Sequence, residues 1–310
     1  MTPQSTVAAL DIPRVRVRRI GNSRVWLDYW QLTKPEINFL IAFTAAAGFW
    51  LGTPATVSPF PWIPFIHSLL GTALVASGAA TLNQLIELPY DARMHRTARR
   101  PLVSGGVAPS DALWFGVGLS VIGVAYLAIS TNPLASLLAT LTLLSYLFLY
   151  TPLKRITPFC TIIGAVPGAA PPLIGWAAAR GHLDPAAWGL FAIVFLWQFP
   201  HFMSIAWMYR EDYARAGFRV LPASENRIRL VRWQTLTASA ALVVVALTPA
   251  ISGLSGFVYV TGAVALGGVL LTYSARFAML RTNVAARQLL LVSILYLPAV
   301  FALLILDKNG

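Results

Sequence analysis

The sequence predicts an all-α fold, a polytopic membrane bundle of nine transmembrane helices with its N-terminus in the cytoplasm. Three observations carry that prediction. Hydrophobic residues fill 57% of the 310 positions and charged residues only 11%. With a mean hydropathy of +0.68, that is not the composition of a soluble domain. Uncharged stretches recur at lengths close to the roughly 20 apolar residues that a helix needs to cross a bilayer. The third observation is how the 23 Lys and Arg residues are sorted. All except Arg180 and Lys308 fall in the segment up to Lys34 or in alternate connections between spans. A net charge of +12 would suggest nucleic acid as the partner of a soluble protein. Distributed this way it follows the positive-inside rule instead, so the expected partner is the lipid bilayer and no nucleic acid.

The predicted spans are 37–53, 64–84, 111–130, 133–150, 159–178, 187–208, 233–252, 256–275 and 287–306. The first 24 residues are polar and basic and lack the apolar core of a secretory signal. Residues 1–28 are therefore expected to form a mobile basic cytoplasmic tail that touches anionic head groups. Residues 29–306 form a single domain, since no linker or low-complexity tract divides them, and 307–310 are a short extracytoplasmic tail. Span one opens at Leu32-Thr33-Lys34-Pro35 and begins near Pro35. Span two runs into the polar stretch from Asn83 to Pro101, and span four ends just before Lys154 and Arg155. Span five gathers Gly164, Pro167, Gly168, Pro171, Pro172 and Gly175, which is the pattern of a kinked packing helix more than of direct ligand contact. A faint internal echo pairs Leu32-Thr33-Lys34-Pro35 with Arg155-Ile156-Thr157-Pro158, and Asp91 with Asp212, as a four-helix unit used twice would do. The one cysteine, Cys160, allows no intramolecular disulfide and is expected to be a small packing residue.

Chemistry concentrates where polarity interrupts the spans. Asn83, Glu87 and Asp91 recur every four residues, so a helix sets them in one narrow stripe. Arg93, Arg96, Arg99 and Arg100 follow at once. Oxygen ligands beside guanidinium groups suit a Mg²⁺-bridged diphosphate: the carboxylates hold the metal and the arginines hold phosphate oxygens. Carboxylates at the end of a membrane span are costly unless they are used. Surface capping is the plainer alternative. The second polar centre runs from Tyr209 to Gly217 and contains Asp212, the acidic residue expected to function there. Glu211 reads as an i, i+4 surface partner of Arg215. Two acidic sites facing one another would hold one or two Mg²⁺ ions. Lys154, Arg155, Arg96, Arg99, Arg100 and Arg215 would neutralise a departing diphosphate, whereas Arg93, Arg227, Arg229 and Arg232 read as topology signals. The residues thus point to a membrane enzyme acting on a prenyl diphosphate, with aromatic faces to shelter an allylic cation.

His201 lies inside span six, after Gln198 and Pro200, where an ionisable ring should face a cavity. Two readings stand side by side. In one, a neutral imidazole is hydrogen-bonded to Gln198; in the other, His201 is an iron ligand or a catalytic polar group.

Several blocks resemble the UbiA-like intramembrane prenyltransferases, and within them the haem-farnesylating branch, the haem O synthases. They are Asn83-x3-Glu87-x3-Asp91-x2-Met94-x-Arg96-Thr97-x2-Arg100-Pro101-Leu102, Tyr150-Thr151-Pro152-Leu153-Lys154-Arg155-x-Thr157-Pro158, Gly168-Ala169-x-Pro171-Pro172-x-Ile174-Gly175-Trp176, Trp197-Gln198-Phe199-Pro200-His201-Phe202 and Asp212-Tyr213-x2-Ala216-Gly217. The resemblance covers nearly the whole chain. It implies nine helices around a central cavity open towards the membrane, in the cytoplasmic (inner) membrane. It further implies Mg²⁺ as cofactor, farnesyl diphosphate and haem B as substrates, and haem O as product for terminal oxidase biogenesis. Haem A synthase or oxidase assembly factors would be protein partners. Asn83, Glu87, Asp91 and Asp212 would be the metal and catalytic residues, with Tyr150 and Lys154 near the diphosphate. Arg96, Arg100, Lys154, Arg155 and Arg215 would bind diphosphate, and His201, Gln198, Arg96 and Arg100 would bind haem.

The chain departs from the family pattern at three places. Glu87 stands where many members have Asp, and Cys160 where many haem O synthases have Asn. Ala216 stands where quinone-type relatives carry a second Asp, so either Glu211 compensates or the second metal site is thinner. The nearest rival reading is a quinone- or chlorophyll-type prenyltransferase sharing the diphosphate apparatus. A lipid or haem transporter is the rival of another class, although transport needs no paired acidic sites on one face.

Overall fold

The computed structural model describes residues 25–220 and 225–309. Most of the expected tail 1–28 lies outside these residues. A helix, α1 (Val25–Leu32), already runs across the expected tail boundary. Two helices come next: α2 (Pro35–Gly52) and α3 (Trp62–Asp91). The short α4 (Pro101–Ser104) and the long α5 (Pro109–Ser130) follow. Next, α6 (Pro133–Leu144) passes through a π-helical turn at Ser145–Tyr150 into α7 (Thr151–Leu153). The fifth expected span is two pieces, α8 (Cys160–Ala169) and α9 (Pro171–Arg180). The rest comprises α10 (Pro185–Met208), α11 (Arg210–Ala216), α12 (Glu225–Val245), α13 (Thr248–Ile251), α14 (Phe257–Leu280) and α15 (Asn283–Leu306). Among the described residues there is no strand, only one isolated bridge between Ser255 and Lys308.

Among the described residues, eight helical stretches are long and apolar enough to cross a membrane. The nine expected spans all appear as helix, but Pro35–Gly52 is outside that set of eight. Pro35, Glu36 and Asn38 in its first turn dilute an otherwise apolar helix. The second span is longer than expected: α3 continues through 30 residues to Asp91. Hydropathy drops at Asn83 while the backbone stays helical, so the polar stripe is part of the span rather than of the turn after it.

Helix starts are written locally. Proline occupies the first turn of α2, α4, α5, α6, α9 and α10, where its missing N–H costs no hydrogen bond. Asn132, Asp184 and Thr282 cap α6, α10 and α15 by accepting the N–H of Ala135, Ala187 and Ala285 at 2.9, 3.3 and 3.2 Å. The proline-glycine cluster of span five works as packing. The helix breaks at Ala170 before Pro171, and α9 then presses against α2. A methyl group on Gly175 would lie 1.9 Å from the Ala45 carbonyl oxygen, so only glycine permits this backbone approach.

The largest buried cluster joins α2, α9, α10, α12, α14 and α15 through Trp176, Leu190, Leu242, Tyr259, Phe277 and Phe301. The outward surface is also apolar, with Phe39, Ile129, Phe148 and Leu295 exposed, as expected where lipid replaces water. Buried Cys160 is a free thiol. This packing fixes α3, the α6–α7 turn and the start of α2 side by side, and there the polar residues meet.

Candidate active site

Asn83, Glu87 and Asp91 lie on one face of α3 and are 1%, 6% and 2% exposed. Carboxylates so buried in a bilayer-spanning helix require opposite charges, and each stripe residue has a cation of its own. Lys154 Nζ donates to Glu87 Oε1 at 2.7 Å. Arg100 Nη1 is ion-paired with Asp91 Oδ2. Lys34 Nζ donates to Asn83 Oδ1 at 3.0 Å. The three cations come from three segments: the start of α2, the end of α7 and the turn after α3.

Local structure aims these groups. Tyr150 closes the π-helical turn and places its ring 4.4 Å from Lys154 Nζ. Such irregular turns recur at functional sites because they redirect side chains that a regular helix would place elsewhere. Thr151 Oγ1 accepts from Asn83 Nδ2 at 3.1 Å and donates to the Tyr146 carbonyl at 2.8 Å, turning the Asn83 oxygen towards Lys34. Lys34 itself sits at φ 51°, ψ 65°, left-handed backbone that a side chain with a Cβ adopts at a cost of about 1 kcal/mol or more. Burial, then the nearby Arg100 guanidinium, push its amine down to about 7, against the opposing pull of Glu87 and Asp91. Burial also disfavours the charged form of Lys154, but the adjoining Glu87 carboxylate prevails and holds its amine well above the ordinary lysine value.

Lys34 belongs to the Leu32-Thr33-Lys34-Pro35 segment, whose sequence assigns it no role. Its one sequence signal is the echo between Leu32-Thr33-Lys34-Pro35 and Arg155-Ile156-Thr157-Pro158. In the fold, the segments just before α2 and just after α7 each deliver a lysine to α3.

The other predicted residues are placed differently. Asp212, 8% exposed, accepts from the Arg96 backbone N–H at 3.1 Å and pairs with Arg215. It is therefore joined to the turn after α3, not to the stripe. The expected Glu211–Arg215 pair is not formed: Arg215 takes Asp212, one turn back at i, i+3, and Glu211 reaches Arg210 at 3.7 Å. Ala216 is fully buried against Met94 and Phe218, which fills the place of a second carboxylate with packing. The Arg96 guanidinium lies over Tyr209 at 5.2 Å, and Arg155 contacts the Tyr90 hydroxyl at 2.5 Å.

Gln198 is buried and donates to the Ala165 and Val194 carbonyls at 2.9 and 3.3 Å. The expected His201–Gln198 hydrogen bond is thus replaced: His201 Nδ1 lies 3.0 Å from Ser293 Oγ on α15. A cavity of about 590 Å³ opens at the other end of the helices, lined by Arg180, Asp184 and Lys308 among others, and includes none of the predicted site residues.

Among the described residues no three Asp, Glu, His or Cys side chains gather as a metal cluster. The stripe nevertheless fits Mg²⁺ chemically. Its donors are all hard oxygens, an amide and two carboxylates, and Mg²⁺ is commonly held by one or two protein carboxylates with substrate phosphate completing the shell. The cations now on those oxygens are the groups a diphosphate would draw away.

A family model described as the UbiA prenyltransferase family matches residues 41–302. The chain is 47% identical over 292 residues to a protoheme IX farnesyltransferase of Solibacter usitatus, covering 91% of this chain and 99% of that protein. It is 44% identical over 302 residues to a protoheme IX farnesyltransferase of Koribacter versatilis, covering 94% and 97%. The fold is similar to a solved digeranylgeranylglyceryl phosphate synthase, with TM-score 0.74 at 15% identity over 92% of this chain and 98% of that one. A UbiA homologue from Archaeoglobus fulgidus bound to GPP and Mg²⁺ matches with TM-score 0.60 at 15% identity, covering 89% and 99%. The chain belongs to the UbiA prenyltransferase family.

Proposed function

We propose that this chain is a protohaem IX farnesyltransferase, moving the farnesyl group of farnesyl diphosphate onto a vinyl group of haem B to give haem O. The observation that carries the diphosphate half is the α3 stripe, whose oxygens are each held by a cation from a different segment. The acceptor half is supported by relatives of that name aligned over nine-tenths of the chain.

Asn83, Glu87 and Asp91 would hold Mg²⁺, with Asp212 as the carboxylate of the second centre. Bound there, the ion would neutralise charge on the diphosphate as its bond to the allylic carbon breaks. Lys34, Lys154 and Arg100 would turn from the stripe oxygens to the phosphate oxygens, favouring departure because they are already aimed and dry. Arg96, Arg155 and Arg215 form the outer rim of positive charge. The Tyr150 ring, stacked under Lys154, gives a π-face on which a developing allylic cation is stabilised. The C–O bond breaks and pyrophosphate leaves with the electron pair. The farnesyl carbon then bonds to the terminal vinyl carbon, and water adds to the cation next to the porphyrin with loss of a proton.

The same reading sets the chain in the cytoplasmic membrane with α2 as the first of nine spans and the α3 stripe facing the cytoplasm. That is where a soluble diphosphate head and the positive-inside charge would meet.

The test is to incubate detergent-purified protein with haem B, farnesyl diphosphate and Mg²⁺ and resolve the extracted haems by mass spectrometry. Haem O that needs Mg²⁺ and is lost in Asp91→Asn supports the reading. Unchanged haem B with folded protein would replace haem with an aromatic acceptor.

A further inference from the structure

His201 is held by three constraints that meet at Ser293. The Ser293 hydroxyl donates to the Leu290 carbonyl at 2.7 Å, which commits its single proton. The 3.0 Å contact with His201 Nδ1 must then have the imidazole as donor. A neutral ring with its proton on Nδ1 leaves a bare lone pair on Nε2. Trp197 stacks on the ring at 4.7 Å and 23°, and its indole N–H donates to the Ser293 backbone carbonyl at 2.7 Å. One residue of α15 therefore fixes both the tautomer and the plane of a ring on α10.

Among the described residues nothing bonds Nε2. His201 is only partly buried and lies seven residues, about 10 Å, inside the end of α10. Asn83 lies eight residues inside the end of α3, about 12 Å in. The two ends are tied together through Asp212 and the Arg96 backbone, which puts His201 and the stripe toward the same end of the bundle. A ring whose one N–H is held by an oxygen while the other nitrogen stays open is how proteins prepare histidine for a metal.

We propose that Ser293 is a positioning residue that keeps His201 in the Nδ1–H tautomer so that Nε2 takes the iron of the porphyrin substrate. The inference rests on the haem reading above. An axial bond to iron holds the macrocycle without touching the vinyl group that reacts. The opposing account is packing alone, since serine often bonds a carbonyl one turn back in membrane helices. The two accounts differ in one respect: iron ligation discriminates haem from the same porphyrin without metal, and packing does not.

Full-length protein in detergent is titrated with ferric haem B and separately with metal-free protoporphyrin IX, and haem O formation is measured in parallel. In Ser293→Ala, haem B affinity falls by about 10-fold, the lower end of what losing a ligand's outer hydrogen bond costs, while protoporphyrin affinity stays unchanged. Ser293→Thr, which keeps the hydroxyl, restores haem affinity. In His201→Gly the haem absorption spectrum loses its imidazole-ligated form, and added imidazole brings it back. Equal losses for both porphyrins, or an unaltered haem spectrum in His201→Gly, overturn the proposal even if haem O is made. Intact discrimination without haem O overturns the farnesylation reading and leaves the ligation standing. A wild-type protein that binds neither porphyrin overturns both.

Discussion

Lys34, Lys154 and Arg100 lie at one end of the helices and Arg180 and Lys308 at the other, and the two sets hold different kinds of oxygen. The first set is bonded to side chains, Asn83, Glu87 and Asp91. The second is bonded chiefly to backbone: Arg180 Nε reaches the Gly52 carbonyl at 2.6 Å, and Lys308 Nζ reaches those of Trp50 and Thr53 at 2.8 and 2.5 Å, while the one side-chain partner, Asp184, is a longer 3.4 Å contact of Arg180. A helix ends with unpaired carbonyls and partial negative charge, so Arg180 and Lys308 close the C-terminus of α2. Their oxygens cannot move without unwinding that turn. Side-chain oxygens can exchange one partner for another with the helix intact. Charge on exchangeable oxygens is fitted to a transient ligand, and charge on backbone oxygens is fitted to architecture.

The widest separation between the two ends is expected from Asp91→Asn. The amide keeps the shape and one acceptor for Arg100, so the melting temperature should hold, while haem O formation should drop by about two to three orders of magnitude, as when one fixed transition-state contact is removed. A variant that unfolds, or one that turns over normally, would make Asp91 an architectural residue and erase the contrast. Lys34→Met comes next. It leaves a neutral amide behind rather than a buried charge, so folding should survive. The loss of one charged hydrogen bond should weaken farnesyl diphosphate binding by about 2 kcal/mol, roughly 30-fold. The KM for haem should not change, and steady-state kinetics with each substrate varied will check this.

These two variants also mark what the sequence could and could not reveal. The stripe was legible because its period of four is a property of one helix. Lys34 was not, since it reaches Asn83 across 49 residues and its direction depends on a left-handed backbone angle that no spacing records. His201 shows the same limit. Gln198 is its neighbour one turn back on the helix, so the sequence offers Gln198 as partner, while the actual partner lies 92 residues away. The second span, expected to end at 84, runs on to Asp91 for another reason. Hydropathy detects where lipid contact ends, and here the helix continues past that point inside the protein. The break in span five was readable from Pro171 and Pro172, whose effects are local.

At the opposite end, Lys308→Met removes two hydrogen bonds to the last turn of α2. Stability should fall by about 1–3 kcal/mol, read as a lower melting temperature in detergent. The rate per folded molecule should remain that of the wild type, which is the reverse of Asp91→Asn. A loss of rate at unchanged stability would mean that this end also takes part in turnover.

The smallest effect belongs to Glu211, and it decides how the missing carboxylate at Ala216 is to be understood. If Glu211 supplied the second acidic ligand, Glu211→Gln would lower the rate and raise the Mg²⁺ concentration needed for half-maximal activity. In the fold its side chain is 81% exposed and 3.7 Å from Arg210, a surface pair of at most about 1 kcal/mol. It points away from the arrangement that matters, in which Asp212 is bound by the Arg96 backbone and Arg215. Neither the rate nor the Mg²⁺ dependence should therefore change on Glu211→Gln, whereas Asp212→Asn should shift both. That outcome would leave Asp212 as the one carboxylate of the second centre, since Ala216 is buried against Met94 and Phe218.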